Sequence, residues 1–139
     1  MQLFKITNPS FTGEIEVLYD GKLIKFDCSN TVINEETISA FKRAIPTNIN
    51  VFIKGEWCSK FTTVVEAEYI VSFDMFWKAY DKKINKARAI PIFEKLSKTD
   101  QVKAFMGIKS YDKFLKKESW RTKADPENYL RNKTWENEY

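Results

Sequence analysis

The apolar residues are spaced differently in the two halves of the chain. Up to about residue 70 they recur mainly at every second position; from Phe73 onward they recur at intervals of three and four. The first period belongs to half-buried strands and the second to helices. The expected fold class is therefore α+β. A small β-rich unit with one helix occupies residues 1–70, and a bundle of three to four helices occupies residues 71–139.

In the first half, "LFKIT", "GEIEVLY" and "KLIKFDC" alternate apolar and polar residues. Asp20-Gly21 separates the last two and predicts a type I′ hairpin, whose central residues both need positive φ. Ile15, Val17 and Tyr19 would share one face, with Leu23 on the partner strand. "NPSFTG" reads as a connection. "INEETISAFKRAIP" reads as a helix: Asn34 caps it, Glu35 and Glu36 suit its positive end, and Ile33 staples to Ile38. Ile38, Phe41 and Ile45 form its buried stripe, and Pro46 ends it. "INVFIKGEW" and "FTTVVEAEYIV" are read as two further strands, five in all.

In the second half, Phe73, Phe76, Trp77 and Tyr80 stand at i, i+3, i+4 and i+7 behind a capping Ser72. Rings at that spacing belong to a core. Asn85 is the expected cap of a second helix that turns Ala89, Ile90, Phe93 and Leu96 inward, with Pro91 disturbing its first turn. A third helix is capped by Ser97 or Thr99 and carries Val102, Phe105, Met106, Ile108, Tyr111 and Leu115 inward. Asp125-Pro126 opens a short last helix as N-cap and N1. Trp135 is expected to fold back on this core.

The chemistry available to the chain is narrow. Histidine is absent, so neither a Ser-His-Asp nor a Cys-His site can be built. Cys28 and Cys58 are too few for an all-cysteine zinc site and are expected to be free thiols in a reducing compartment. No glycine-rich phosphate loop occurs. Asp81, Glu94 and Asp112 lie among lysines and read as helix-surface ion pairs rather than metal ligands. The expectation is a protein that is not an enzyme and uses no cofactor or metal. The longest apolar runs are too short to cross a membrane, and "MQLFKITNPS" is not a secretory leader, so the expected location is the cytoplasm.

Charge is where the two halves differ most. Residues 1–71 carry seven basic and nine acidic side chains, whereas residues 72–139 carry sixteen basic and ten acidic. Two clusters stand out. Lys82, Lys83, Lys86 and Arg88 follow the aromatic helix. Lys116, Lys117, Arg121 and Lys123 follow the third helix, with Trp120 among them. Such clusters fit phosphate contacts, which give affinity without reading sequence, and an exposed tryptophan can stack on an unpaired base.

The helical half also resembles a known group. Phe73, Phe76, Trp77, Tyr80, Lys82, Lys83, Lys86, Leu96, Pro126, Tyr129, Leu130 and Trp135 follow, in order, the pattern of a C-terminal region of phage and prophage DNA replication proteins. The resemblance covers residues 72 to 137. Asp81 stands where that pattern has proline, Phe93 where it has tryptophan, and Arg131 where it has asparagine. Such proteins carry a winged-helix domain before this region, and no helix-turn-helix of that kind is read in residues 1–71. The first half is similar instead to a unit found on short proteins of Bacteroidetes and their phages. The resemblance implies a phage or mobile-element setting and a link to replication, with no base-reading or catalytic residues carried over. Two readings follow. One is a nucleic-acid-binding accessory protein, with single- or double-stranded DNA as a largely non-specific partner through the nine residues named above. The other is an adaptor that docks on a replication or host protein without touching DNA.

Overall fold

Phe4, Ile6, Ile15, Val17 and Tyr19 all face one side of an antiparallel sheet, as their alternation requires. The computed structural model describes residues 1–139 and has an α+β fold of two units, Met1–Tyr69 and Ile70–Tyr139. In the first unit the strands are β1 (Gln2–Thr7), β2 (Thr12–Gly13), β3 (Ile15–Asp20), β4 (Lys22–Asp27), β5 (Thr31–Val32) and β6 (Thr63–Ala67). Four of them form a sheet in the order β4-β3-β1-β6, and β2 pairs with β5 in a separate two-stranded ladder. Helices α1 (Glu35–Ala44) and α2 (Ile49–Lys54) follow β5. Ile45, Ile49 and Phe52 complete the core, with the Phe52 ring centred 4.9 Å from both Phe4 and Tyr19.

Three sequence expectations change here. Residues 49–54 form a helix, not a strand. Asn48 caps it by accepting the Asn50 N–H at 2.8 Å, and Gly55 closes it at φ +76°. Only Ile49 and Phe52 are buried, three apart, so the β-branched Val51 and Ile53 simply face outward. The β3–β4 hairpin is not type I′. Gly21 alone takes a positive φ, Asp20 pairs directly with Lys22, and the register slips at Leu18/Tyr19. The "NPSFTG" connection ends in β2. Gly13 there has φ +85°, and a Cβ on it would lie 2.0 Å from the Asn30 carbonyl oxygen, so only glycine fits.

The second unit is helical: α3 (Phe73–Tyr80), α4 (Lys86–Lys95), α5 (Lys98–Lys117), α6 (Pro126–Arg131) and a 3-10 turn (Thr134–Glu136). Ser72 caps α3 and Ser97 caps α5, each through its side-chain oxygen. Asn85 and Asp125 hold N-cap positions, but neither side chain caps. Asn85 sits at φ +55° and donates to Glu127, while Asp125 pairs with Lys82. Pro91 lies inside an uninterrupted α4 whose start is set by the left-handed Asn85.

Tyr129 is the centre of this core. Its ring lies 4.9 Å from Tyr80, 5.5 Å from Tyr111, 5.7 Å from Trp135 and 5.9 Å from Phe76, and its hydroxyl donates to the Ala104 carbonyl at 2.7 Å. Trp135 does fold back, onto Gly107 in the middle of α5. A Cβ at residue 107 would lie 2.5 Å from the Trp135 Cβ and 3.0 Å from the Tyr129 hydroxyl. Gly→Ala inside a helix ordinarily adds about 1 kcal/mol of stability. Here Gly107→Ala should reverse that sign and cost ~1–3 kcal/mol, because overpacking displaces the tryptophan. Urea denaturation of the variant checks this, and a gain in stability would contradict the packing described.

Candidate nucleic-acid interface

The first basic cluster begins where α3 stops. The last carbonyls of a helix lack intrahelical donors and carry its negative end. Asp81 terminates α3 at φ +57°, a left-handed conformation that proline, fixed near −65°, cannot take. The Lys123 ammonium, from the loop after α5, donates to the carbonyl of Tyr80, the last residue of α3. In return the Lys82 ammonium donates to the Lys123 carbonyl.

This exchange joins the two basic loops. Lys123 also pairs with Asp112 at 2.8 Å and lies 4.3 Å above the Tyr80 ring, and Lys82 pairs with Asp125 at 3.1 Å. The Ala124 peptide is held from both sides: its N–H donates to the Tyr111 hydroxyl at 2.9 Å, and its carbonyl accepts from the Tyr80 hydroxyl at 2.5 Å. Burial pushes the Tyr80 hydroxyl pKa well above its usual value, with the neighbouring Tyr111 and Tyr129 and the Asp112 and Asp125 carboxylates adding to the shift. It stays a neutral donor.

The nine candidate residues therefore divide into two kinds. Lys82 and Lys123 are about one-fifth to one-quarter exposed and hold the loops together. Arg88 is exposed, but its guanidinium lies 3.8 Å from the buried Glu127, which also pairs with Arg131 at 3.3 Å. Lys86 lies 5.8 Å above the Trp77 ring and has no carboxylate partner. Lys83, Lys116 and Lys117 are exposed and make no ion pair. Arg121 is exposed and sandwiched against rings, 4.4 Å from Trp120 and 5.3 Å from Phe114. Trp120 is 73% exposed, so it does not anchor its loop by burial. Its indole N–H donates to Glu118 at 2.8 Å, which fixes the ring's orientation.

The sequence reading missed the anionic side of this arrangement. Asp112 and Asp125 neutralise the two lysines nearest the loop junction, a pairing across 11 and 43 residues of chain that no local spacing reveals. It also missed Lys113, which lines a surface groove with Lys117 one helical turn later, a spacing legible in the sequence. No three cysteine, aspartate or glutamate side chains gather where they could hold a metal ion. No helix is long and apolar enough to cross a membrane.

The division yields a stability prediction. Lys123→Ala removes charge-assisted hydrogen bonds from a partly buried site and should cost ~2 kcal/mol. Lys83→Ala and Lys117→Ala should change stability by less than ~0.5 kcal/mol, as exposed, unpaired side chains do. Thermal melts of the three variants separate the groups, and equal effects would contradict the assignment.

No curated protein and no solved structure matches the chain. Residues 68–133 match the family described as Legionella vir region protein LvrA C-terminal domain. The matched stretch nearly coincides with the 72–137 expected from resemblance and includes all nine candidate residues. Its description names a vir region and not replication. The helical unit is thus similar to that C-terminal domain, while the strand unit, apart from its last two residues, lies outside the match.

Proposed function

We propose that the chain is a non-enzymatic accessory protein of phage or mobile-element DNA replication, acting in the cytoplasm of a bacterial host, a member of the Bacteroidetes being the setting the resemblance implies. Its helical unit binds nucleic acid by phosphate contacts with little sequence preference. The observation that carries this reading is the set of cations left over once the internal pairs are made. Lys83, Lys86, Lys116, Lys117 and Arg121 are exposed and have no carboxylate partner. Lys82, Lys123 and Arg88 serve the fold first, so their contribution to binding is indirect. The similarity of residues 68–133 to a domain of a vir-region protein supports the mobile-element setting.

Fluorescence anisotropy with a labelled oligonucleotide at low salt tests the reading, with binding expected to weaken steeply as salt rises. Absence of binding at low salt would overturn it. The adaptor reading has its own support in the strand unit, where Val51, Ile53, Phe61 and Val65 are exposed. A partner recovered from host lysate after nuclease treatment would favour that second reading, docking on a replication or host protein.

A further inference from the structure

Four planar groups run in series along the end of α5 and the loop after it. Trp120 packs on Arg121 at 4.4 Å, Arg121 on Phe114 at 5.3 Å, and Phe114 on Tyr139 at 4.3 Å with the rings 18° from parallel. They border a surface groove of about 650 Å³. A second groove shares Phe114, Asn137 and Tyr139 with it and adds Lys113 and Lys117. Trp120 is the most exposed aromatic residue of the chain at 73%, yet its ring is held on one side by a guanidinium and at its edge by Glu118. A large apolar ring fixed in place with a free face, at the end of a row of stacked planar groups, is arranged to receive another flat group.

The charge around it says which kind. Lys116, Lys117 and Arg121 lie within five residues of Trp120, and Lys113 lies one turn before Lys117. Two carboxylates stand against them: Glu118, engaged by the Trp120 indole, and Glu138, which lines the first groove. The balance is cationic. A ligand that combines flat faces with repeated negative charge satisfies both features. In a duplex the base faces are already stacked on one another, so no ring face is offered to Trp120.

Resting on the nucleic-acid reading above, we infer that the helical unit selects unpaired strands, seating one base on the open face of Trp120 with Arg121 stacked behind it. Lys113, Lys116 and Lys117 meet the adjoining phosphates. Arg121 adds a cation–π contribution to the stack and a positive charge beside the backbone.

The test uses the full chain, a 12-nucleotide oligo-dT, the corresponding oligo-rU and a 12-base-pair DNA duplex, with anisotropy for affinity and intrinsic tryptophan fluorescence as a direct report of stacking. Oligo-dT or oligo-rU should bind at least about tenfold tighter than the duplex and quench the fluorescence. Trp120→Ala should lower single-strand affinity by about tenfold and abolish the quench while leaving duplex binding unchanged. Trp120→Phe should restore much of the affinity. Because the ring is exposed, its loss should leave the melting temperature unaltered, and circular dichroism verifies this. Equal binding of strand and duplex, insensitive to Trp120→Ala, would overturn the stacking site and leave the phosphate reading standing. Failure of all three probes to bind at low salt would overturn both.

Discussion

Tyr129→Ala is expected to remove ~3–5 kcal/mol from the helical unit, the largest single effect in the chain. The ring is fully buried, touches Phe76, Tyr80, Tyr111 and Trp135, and hydrogen-bonds α5 through Ala104. Deleting it leaves a cavity whose walls come from three helices and the 3-10 turn, and these cannot all collapse inward. A unit of this size buries a modest core, so a loss of that magnitude takes most of its stability. Tyr129→Phe separates the ring from its hydroxyl. It keeps the cavity filled and should cost only about 1 kcal/mol, because the Ala104 carbonyl it leaves lies inside a helix. Urea titrations followed by circular dichroism give both numbers. Comparable losses for the two variants would show that the hydrogen bond, and not the packing, is dominant.

Raising the pH above 10 should destabilise both units. Tyr19 is buried beneath the sheet, donates to the Pro46 carbonyl at 2.6 Å, and has its pKa pushed up to about 12 by burial. Tyr80 and Tyr129 are shifted upward in the same sense, burial again leading. In the unfolded chain a tyrosine loses its proton near pH 10. A raised folded-state value therefore means that the full contribution is present below pH 10. It is lost progressively as pH climbs toward the folded-state value. For Tyr19 the loss between pH 10 and 12 is on the order of 2 kcal/mol, allowing for some solvent screening of the hydroxyl. Tyrosinate absorbance and circular dichroism recorded together from pH 9 to 12 test this. The buried tyrosines should ionise only as structure is lost. Ionisation near pH 10 with the fold intact would contradict the burial.

The sequence disclosed the fold class because the strand period of β1, β3 and β4 and the helical period from Phe73 onward are each sustained over several residues. The rings of α3 and the alternation of β1 and β3 both report a buried face directly. Residues 49–54 misled because a six-residue helix offers less than two turns of pattern. Two of its three β-branched residues, Val51 and Ile53, favour strands and point outward. The hairpin misled because Asp-Gly signals a turn without fixing its geometry, and the slip at Leu18/Tyr19 absorbed the difference. At the candidate site, basic residues were legible as clusters, but their roles were not. Lys82 and Lys83 are adjacent, yet one clasps the neighbouring loop and the other is free. That difference depends on Asp112, Lys123 and Asp125, brought near by the packing of α5 against α3. Capping failed at Asn85 and Asp125 for the same reason, since longer-range partners claimed both side chains.

The claim that the free cations, and not the clasped ones, meet nucleic acid is tested most directly by the salt dependence of binding. Affinity for an oligo-dT strand is measured across a series of salt concentrations for the wild type and for Lys83→Gln/Lys116→Gln/Lys117→Gln. The slope of log affinity against log salt should fall by roughly 2 in the triple variant, since each lost contact on a single strand removes about 0.7. Its melting temperature should be unchanged. An unaltered slope in a folded triple variant would contradict the account.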